Sequence, residues 1–323
     1  MLHFSEHDAK RFLNPLELIH AIELAFQHDY QAGAPIPTRL QLEVGSQGSF
    51  LLMPCQDAAK PALGFKAVLV SRHPASGNER VQATYFLLDP ASGKVRAVID
   101  ANYLTDLRTA ATSALATKLM ARKSAAILGI FGAGRQARAH LKLFAQILQF
   151  KTILVCASSP QRSETFAAEM SAEVAVPVRP ADAKTCAEQA HVICTCTSAT
   201  LPLFDGGWLA PGVHLNLVGA FRPMDREVDS ETIRRARAVV DTYEGALSEA
   251  GDIIIPLREG VIARSHIVAD LHEMISGKRA GRTSEEEITV FKSVGFALED
   301  LVAASLLYDA AAKSEAADDL RPA

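Results

Sequence analysis

Residues 125–137 read Ala125-Ala126-Ile127-Leu128-Gly129-Ile130-Phe131-Gly132-Ala133-Gly134-Arg135-Gln136-Ala137. Ala125–Phe131 is an apolar, strand-sized run, and a helix is expected from about Gln136 to Leu148. Between them, residues 132–137 match G-x-G-x-x-G/A, with a strand before and a helix after, the context that gives the pattern weight. The first glycine permits a tight turn, and the second lets the backbone approach a pyrophosphate. The last position must be small for helix–strand packing, and Ala137 is. Helix-start N–H groups and the helix dipole favour anions, so Gly132, Ala133, Gly134, Arg135 and Gln136 are candidate cofactor contacts. The alternative is an ordinary strand–helix turn.

Downstream the rhythm continues. Strands are expected at Thr152–Cys156, Val174–Val178, His191–Cys196 and Val213–Val218, with helices from about Pro160 to Met170 and near Ala183–Gln189. This βαβα alternation implies an α/β fold, a Rossmann-type doubly wound parallel sheet covered by helices. Glu285–Leu307 reads as one further long helix, with Ile288, Phe291, Val294, Leu298 and Leu301 on a stripe. An NAD site usually carries Asp or Glu about 20 residues beyond the glycine turn, for the ribose hydroxyls. Here the second strand ends in Ala157-Ser158-Ser159-Pro160-Gln161-Arg162. The hydroxyls of Ser158 and Ser159 with the Arg162 fork suit a 2′-phosphate, which favours NADPH over NADH. The alternative for Arg162 is an exposed loop arginine.

Upstream, residues 1–100 form another unit. Asn14-Pro15-Leu16-Glu17 is a helix start, and Leu16, Ile19, Ile22, Leu24 and Phe26 extend an apolar stripe. Strand-like runs follow at Thr38–Val44, Ser49–Met53, Leu63–Ser71, Val81–Leu88 and Lys94–Ile99, with a turn at Asp89–Gly93. Short connections favour antiparallel pairing. Asn102–Arg122, rich in Ala and Leu, reads as a long connecting helix, and the polar stretch Ser314–Ala323 is expected to fray.

Of 323 residues, 49% are hydrophobic and 22% charged, an ordinary globular composition that excludes a disordered, collagen-like or disulfide-scaffold chain. A net charge of -4 without a basic block argues against nucleic-acid or anionic-membrane partners. The charges among Met1–Asp8 fit neither a secretory signal nor a transit peptide, and no segment approaches the roughly 18 apolar residues of a membrane span. Five cysteines, Cys55, Cys156, Cys186, Cys194 and Cys196, are an odd count, read as free thiols in a reducing cytoplasm. No second pair with ligand spacing accompanies Cys194 and Cys196, and Ser276 stands where a His272-Glu273 zinc motif needs its second histidine, so no metal is expected.

Three basic residues lie among apolar ones: Lys66 within Leu63–Val70, Arg39 on an alternating strand, and Arg108 in an Ala-rich helix beside Thr109. A buried cation is costly unless paired, so each either reaches to solvent or faces a polar site. One reading is a solvated face for each. The other is a pocket that clamps a carboxylate, with arginine as bidentate partner.

The segments Leu104–Ser113, Ile130–Ala137, Val218-Gly219-Ala220-Phe221-Arg222-Pro223 and Phe291–Asp300 resemble the ornithine cyclodeaminase/mu-crystallin family, and the likeness runs from Arg39 to Leu307. The resemblance implies a homodimer with a substrate-binding and dimerisation domain of α+β type at 1–115, completed by 300–323, and a Rossmann domain at 116–299. It implies that Arg39, Lys66 and Arg108 hold a substrate carboxylate, with Lys66 the acid/base. It sets Thr84 near nicotinamide and substrate, and Arg108 and Thr109 beside the cofactor. Ser158 and Ser159 then contact the adenosine ribose or its phosphate, and Thr197, Val218 and Val294 line the cofactor.

The departures narrow the expected chemistry. Ornithine-deaminating members and the related alanine dehydrogenase carry an Asp where this chain has Phe221, and cyclodeaminases a Glu where it has Leu51. Gly219–Pro223 instead resembles the ketimine-reductase branch. The expected reaction is NAD(P)H-dependent reduction of Δ1-pyrroline-2-carboxylate or Δ1-piperideine-2-carboxylate to L-proline or L-pipecolate, with Phe221 covering the substrate ring. The alternatives are an amino-acid dehydrogenase of alanine type, an ornithine cyclodeaminase using Asp225, which lies four residues beyond the family position, and a non-catalytic NADPH-binding crystallin-like protein; for Arg226 or Glu227 the plain reading is a solvated loop charge.

Overall fold

The computed structural model describes residues 1–29, 36–57, 60–71 and 80–314, so all of the tail 314–323 except Ser314 lies outside the described residues. In chain order the strands are β1 (Leu2–Phe4), β2 (Leu40–Val44), β3 (Gly48–Asp57), β4 (Ala62–Ser71), β5 (Val81–Leu88), β6 (Val95–Asp100), β7 (Ile127–Phe131), β8 (Thr152–Cys156), β9 (Val178–Pro180), β10 (Val192–Thr195), β11 (His214–Leu217), β12 (Ala236–Val240), β13 (Ile267–Asp270) and β14 (Ile288–Lys292). The helices are α1 (Glu6–Phe12), α2 (Pro15–Gln27), α3 (Asn102–Met120), α4 (Arg135–Ile147), α5 (Pro160–Ser171), α6 (Ala183–Gln189), α7 (Ser230–Arg235), α8 (Tyr243–Glu249), α9 (Gly251–Arg258), α10 (Leu271–Ile275) and α11 (Ala297–Ala312). The chain divides into two compact units, Met1–Arg108 with Phe296–Ala323, and Thr109–Gly295.

The first unit is built on a six-stranded sheet in the order β1-β6-β5-β4-β3-β2. Strands β2 to β6 pair antiparallel, and β1 joins β6 in parallel. Asp89 Oδ1 accepts the N–H groups of Ala91 and Ser92 and closes the β5–β6 turn, where Gly93 takes a positive φ of 69°. Asn14 caps α2 by accepting from Leu16 and Glu17, and Leu18, Ile19, Ile22 and Phe26 are buried. The expected stripe is narrower than read, since Leu16 and Leu24 are exposed. Helix α11 packs against α2 and against β3, β4 and β5. The alternation of β4 and β5 therefore turns Lys66, Val68, Ala83 and Tyr85 towards the core.

The second unit holds an eight-stranded sheet in the order β13-β12-β14-β11-β10-β7-β8-β9. Every pairing in it is parallel. Strand order reverses at β7, which lies between β8 and β10, and in such sheets ligands bind outside the carboxyl ends of the strands at this point.

The stretch 285–307 is not one helix. Ile288–Lys292 is an inner strand between β12 and β11 with every residue buried, Gly295 turns the chain at φ 87°, and only then does α11 begin. A strand buried on both faces shows no alternation, so its apolar residues mimic a helical stripe. Pairing also starts later than expected in β9, at Val178: Pro177, which has no N–H to give, contributes only its carbonyl, to Ile153.

Candidate active site

Lys66 points from β4 into the core of the first unit and is 2% exposed. Its Nζ donates to Asp300 Oδ1 of α11 at 2.8 Å and to Thr105 Oγ1 of α3 at 3.4 Å. Arg108 Nε donates to the same Asp300 oxygen at 3.0 Å, and Arg108 Nη1 to Glu299 Oε2 at 2.6 Å. Asp300 therefore bridges the two cations, and strand, connecting helix and C-terminal helix meet at one carboxylate. Burial pushes the Lys66 ammonium down to about 8, Arg108 and Arg39 push the same way, and Asp300 opposes them. Burial works against the Arg108 charge, but Asp300 and Glu299 outweigh it and hold Arg108 above its ordinary value. Arg39, half-buried ahead of β2, lies close enough for its charge to act on Lys66. The structure thus joins Lys66 and Arg108, which sequence alone could not connect, at Asp300, with the charge of Arg39 acting on Lys66.

The floor of this cluster is polar and incompletely paired. Tyr85, cross-strand neighbour of Lys66, is fully buried, and among the described residues its Oη has no hydrogen-bond partner. The same holds for Asp300 Oδ2. Buried polar atoms are nearly always satisfied, and orphans of this kind mark places where a ligand or water completes the site. The sequence reading gave no role to Glu299 or Asp300, although acids in an otherwise apolar helix carry the same signal as the lone Lys66. Thr84 is not brought to this cluster. It pairs with Ala67 and Asp100, one position out of step with Lys66 and Tyr85, so its side chain lies on the opposite face of the sheet.

In the second unit Gly132 follows β7 with φ 114°, and a Cβ there would lie 2.5 Å from the Cys196 carbonyl oxygen. Only glycine fits, because the turn and the strand end after β10 meet backbone to backbone. Gly134 caps α4 without a side-chain hydrogen bond, and a Cβ on it would point into open space. Ala137 is buried against the sheet. The N-terminus of α4 beside Arg135 and Gln136 thus offers backbone donors and room, the requirements of a pyrophosphate cradle. At the end of β8, Ser159 caps α5 by accepting from the Arg162 N–H, while Ser158 and Arg162 are exposed.

The other predicted residues of this unit gather at strand ends. Thr197 follows β10, and its N–H and Oγ1 both donate to Glu227 Oε1, at 2.8 and 2.7 Å. Val218 follows β11 and donates to the Thr195 carbonyl. Val294 follows β14, and its N–H donates to Asp241 Oδ2 at 2.7 Å. Thr109, nearly buried, opens this unit's part of α3. Phe221 is half-buried against the unit's own core, with the Arg222 guanidinium 5.7 Å from its ring. Glu227 is no solvated loop charge: it is fully buried, as are Asp252 and Lys292 beside it. An isolated loop position gave no sign of this, since its partners come from four other segments. Among the described residues no group of three or more His, Cys, Asp or Glu gathers as a metal site, and no helix is long and apolar enough to cross a membrane.

Comparison with known proteins places this geometry in context. The chain is 40% identical to ketimine reductase mu-crystallin of Mus musculus over 299 residues, covering 90% of this chain and 91% of the relative. The structure of Thermococcus litoralis Delta(1)-pyrroline-2-carboxylate reductase in complex with NADH and L-proline superposes with a TM-score of 0.93 at 38% identity, covering 97% of this chain and 98% of that one. An archaeal alanine dehydrogenase dimer with bound NAD gives a TM-score of 0.90 at 28% identity, covering 97% and 96%. The sequence model of the ornithine cyclodeaminase/mu-crystallin family matches residues 1–315, end to end across both units, and the chain belongs to that family.

Proposed function

We propose that the protein reduces a cyclic ketimine carboxylate, Δ1-pyrroline-2-carboxylate or Δ1-piperideine-2-carboxylate, to L-proline or L-pipecolate with a nicotinamide dinucleotide. The observation that carries this reading is the meeting of Lys66 and Arg108 at Asp300, with the charge of Arg39 acting on Lys66, in a chain similar to a reductase whose structure holds NADH and L-proline. Arg39 and Arg108 bind the substrate carboxylate, the arginine fork matching its two oxygens. Lys66 donates a proton to the imine nitrogen, and with its ammonium held near 8 it is both charged and acidic enough to do so at neutral pH. Asp300 orients Lys66 and Arg108 together. The residues of the glycine turn fit the dinucleotide, through the Gly132 approach and the open N-terminus of α4, and the bound dinucleotide supplies the hydride. Ser158, Ser159 and exposed Arg162 favour NADPH at the adenosine ribose, with NADH as the alternative. Thr109, Thr197, Val218 and Val294 line the cofactor, and Thr84, on the sheet face away from Lys66, is left without a role in the reaction. Phe221 covers the substrate ring. A substrate that is already an imine needs no water-activating carboxylate, in keeping with a phenylalanine at this position.

We also infer a homodimer through the first unit. The sheet face turned away from α11 carries exposed Leu40, Leu42, Val44 and Leu69 and the stacked pair Phe65–Phe86, whose centroids are 4.8 Å apart. A monomer seldom leaves such a patch bare. The five cysteines are free, which suits a reducing cytoplasm. The reaction is tested by following NADPH and NADH oxidation with each cyclic imine, and with pyruvate plus ammonia. Turnover with an imine in the absence of ammonia is expected. Turnover only with a keto acid and ammonia would make the protein an amino-acid dehydrogenase instead.

A further inference from the structure

The second unit contains a buried ion network that this mechanism does not use. Glu227, on the segment between β11 and α7, has no exposed surface. Its Oε1 accepts from the Thr197 N–H and hydroxyl at 2.8 and 2.7 Å, and its Oε2 from the Thr195 hydroxyl and the Gly219 N–H, both at 2.7 Å. Four donors saturate the lone pairs of one carboxylate. Two of them are backbone N–H groups, one on each oxygen, and neither can turn round to accept. An amide at this position would therefore set an N–H against one of them.

The network closes on itself. Asp252 of α9 accepts from the Glu227 and Val228 N–H groups at 2.7 and 3.1 Å, and pairs with Lys292 at 2.9 Å. Lys292 Nζ donates to the Ala220 carbonyl at 2.6 Å. The N–H of Gly219 and the C=O of Ala220 are thus gripped from both sides by linked buried charges. Backbone packing is equally close: a Cβ on Gly219 would lie 2.2 Å from the Thr197 carbonyl oxygen, and one on Gly132 would lie 2.5 Å from that of Cys196. The glycine turn therefore packs on the end of β10, and the end of β10 packs on the end of β11, which Glu227 ties to it.

Strand order shows which part of a ligand this would serve. A dinucleotide with its pyrophosphate over the N-terminus of α4 and its adenosine at the end of β8 extends, on the other side of β7, over the ends of β10 and β11. We propose that Glu227 is a positioning residue for the nicotinamide half of the dinucleotide: it sets the spacing between residues 195–197 and 218–220 while leaving the adenosine half untouched. This rests on the dinucleotide reading above.

The test uses the dinucleotide that the wild type binds more tightly, NADPH or NADH, beside the same molecule without its nicotinamide, 2′-phospho-ADP-ribose or ADP-ribose, and compares wild type with Glu227→Gln by calorimetry. The variant is expected to bind the dinucleotide at least about tenfold more weakly, and the nicotinamide-free probe within about twofold of wild type. Thr195→Val removes one of the four hydrogen bonds without touching the ligand-facing surface. It is expected to show the same selective loss to a smaller degree, and it decides the question if Glu227→Gln does not fold. Parallel loss of both probes, or no change in either, overturns the proposal. Failure of the wild type to bind either probe overturns the dinucleotide reading and this proposal with it.

Discussion

Asp300 is the residue on which the candidate site turns, because one of its oxygens serves both Lys66 and Arg108. Removing one partner of a buried ion pair costs roughly 3–5 kcal/mol, so alanine here would confuse stability with catalysis, and the isosteric Asp300→Asn is the sharper change. Lys66 is protonated below about 8, so as a proton donor it supports turnover at neutral pH and loses it as pH rises through that value. Asp300 is the group that raises Lys66 against burial and the two arginines, so Asp300→Asn moves the alkaline limb of kcat/KM to lower pH. An unmoved limb would mean that Lys66 is not the titrating donor. Lys66→Ala is expected to lower kcat about 100-fold or more while cofactor affinity, measured by fluorescence, stays within a factor of about two. How far the residues were legible follows from this cluster. A cation interrupting an apolar run is visible in sequence, as Lys66 is; Arg39 on an alternating strand and Arg108 in an Ala-rich helix stood out more weakly, and a solvated face stayed open for each. Asp300 and Glu299 were open to the same logic, but the misread helix across 285–307 hid where α11 begins.

At the level of elements, the strand–turn–helix from β7 to α4 was legible because each local requirement left a mark: a buried strand, glycines, and a small residue at Ala137. The conformation bears this out at Gly132, whose φ of 114° and contact with the Cys196 carbonyl exclude any side chain. Gly132→Ala is accordingly expected to abolish detectable dinucleotide binding and to lower the thermal midpoint, since both backbone strain and a 2.5 Å approach must be relieved. Binding at wild-type affinity would show that the turn does not form the cradle. Strand β14 was illegible for the opposite reason. Its five residues are buried on both faces, so periodicity carries no information, and only the partners β11 and β12, distant in sequence, make it a strand. β1 and α1 were missed because a three-residue strand and a seven-residue helix fall below the length at which a pattern shows. For α1 the signal lay in the capping box of Ser5 and Asp8.

For the whole molecule, the two units divide the chemistry. The residues proposed to bind the carboxylate and donate the proton belong to the first, and the glycine turn proposed to hold the dinucleotide and the Glu227 network belong to the second. A net charge of -4 argues against polyanionic partners, while a few basic residues placed among apolar ones are enough for a single carboxylate. The exposed leucines of β2 and β4 give the assembly its test. Leu42→Glu with Leu69→Glu is expected to shift the protein from dimer to monomer in light scattering, and a wild type that is monomeric at micromolar concentration would refute the dimer. The central claim concerns the bond that is reduced, and one labelling experiment reads it directly. The protein is incubated with Δ1-pyrroline-2-carboxylate and NADPH deuterated at C4 of the nicotinamide, without ammonia, and the product is analysed by mass spectrometry. L-Proline carrying one deuterium at its α-carbon is the predicted result; no labelled proline, with the imine recovered unchanged, would contradict it.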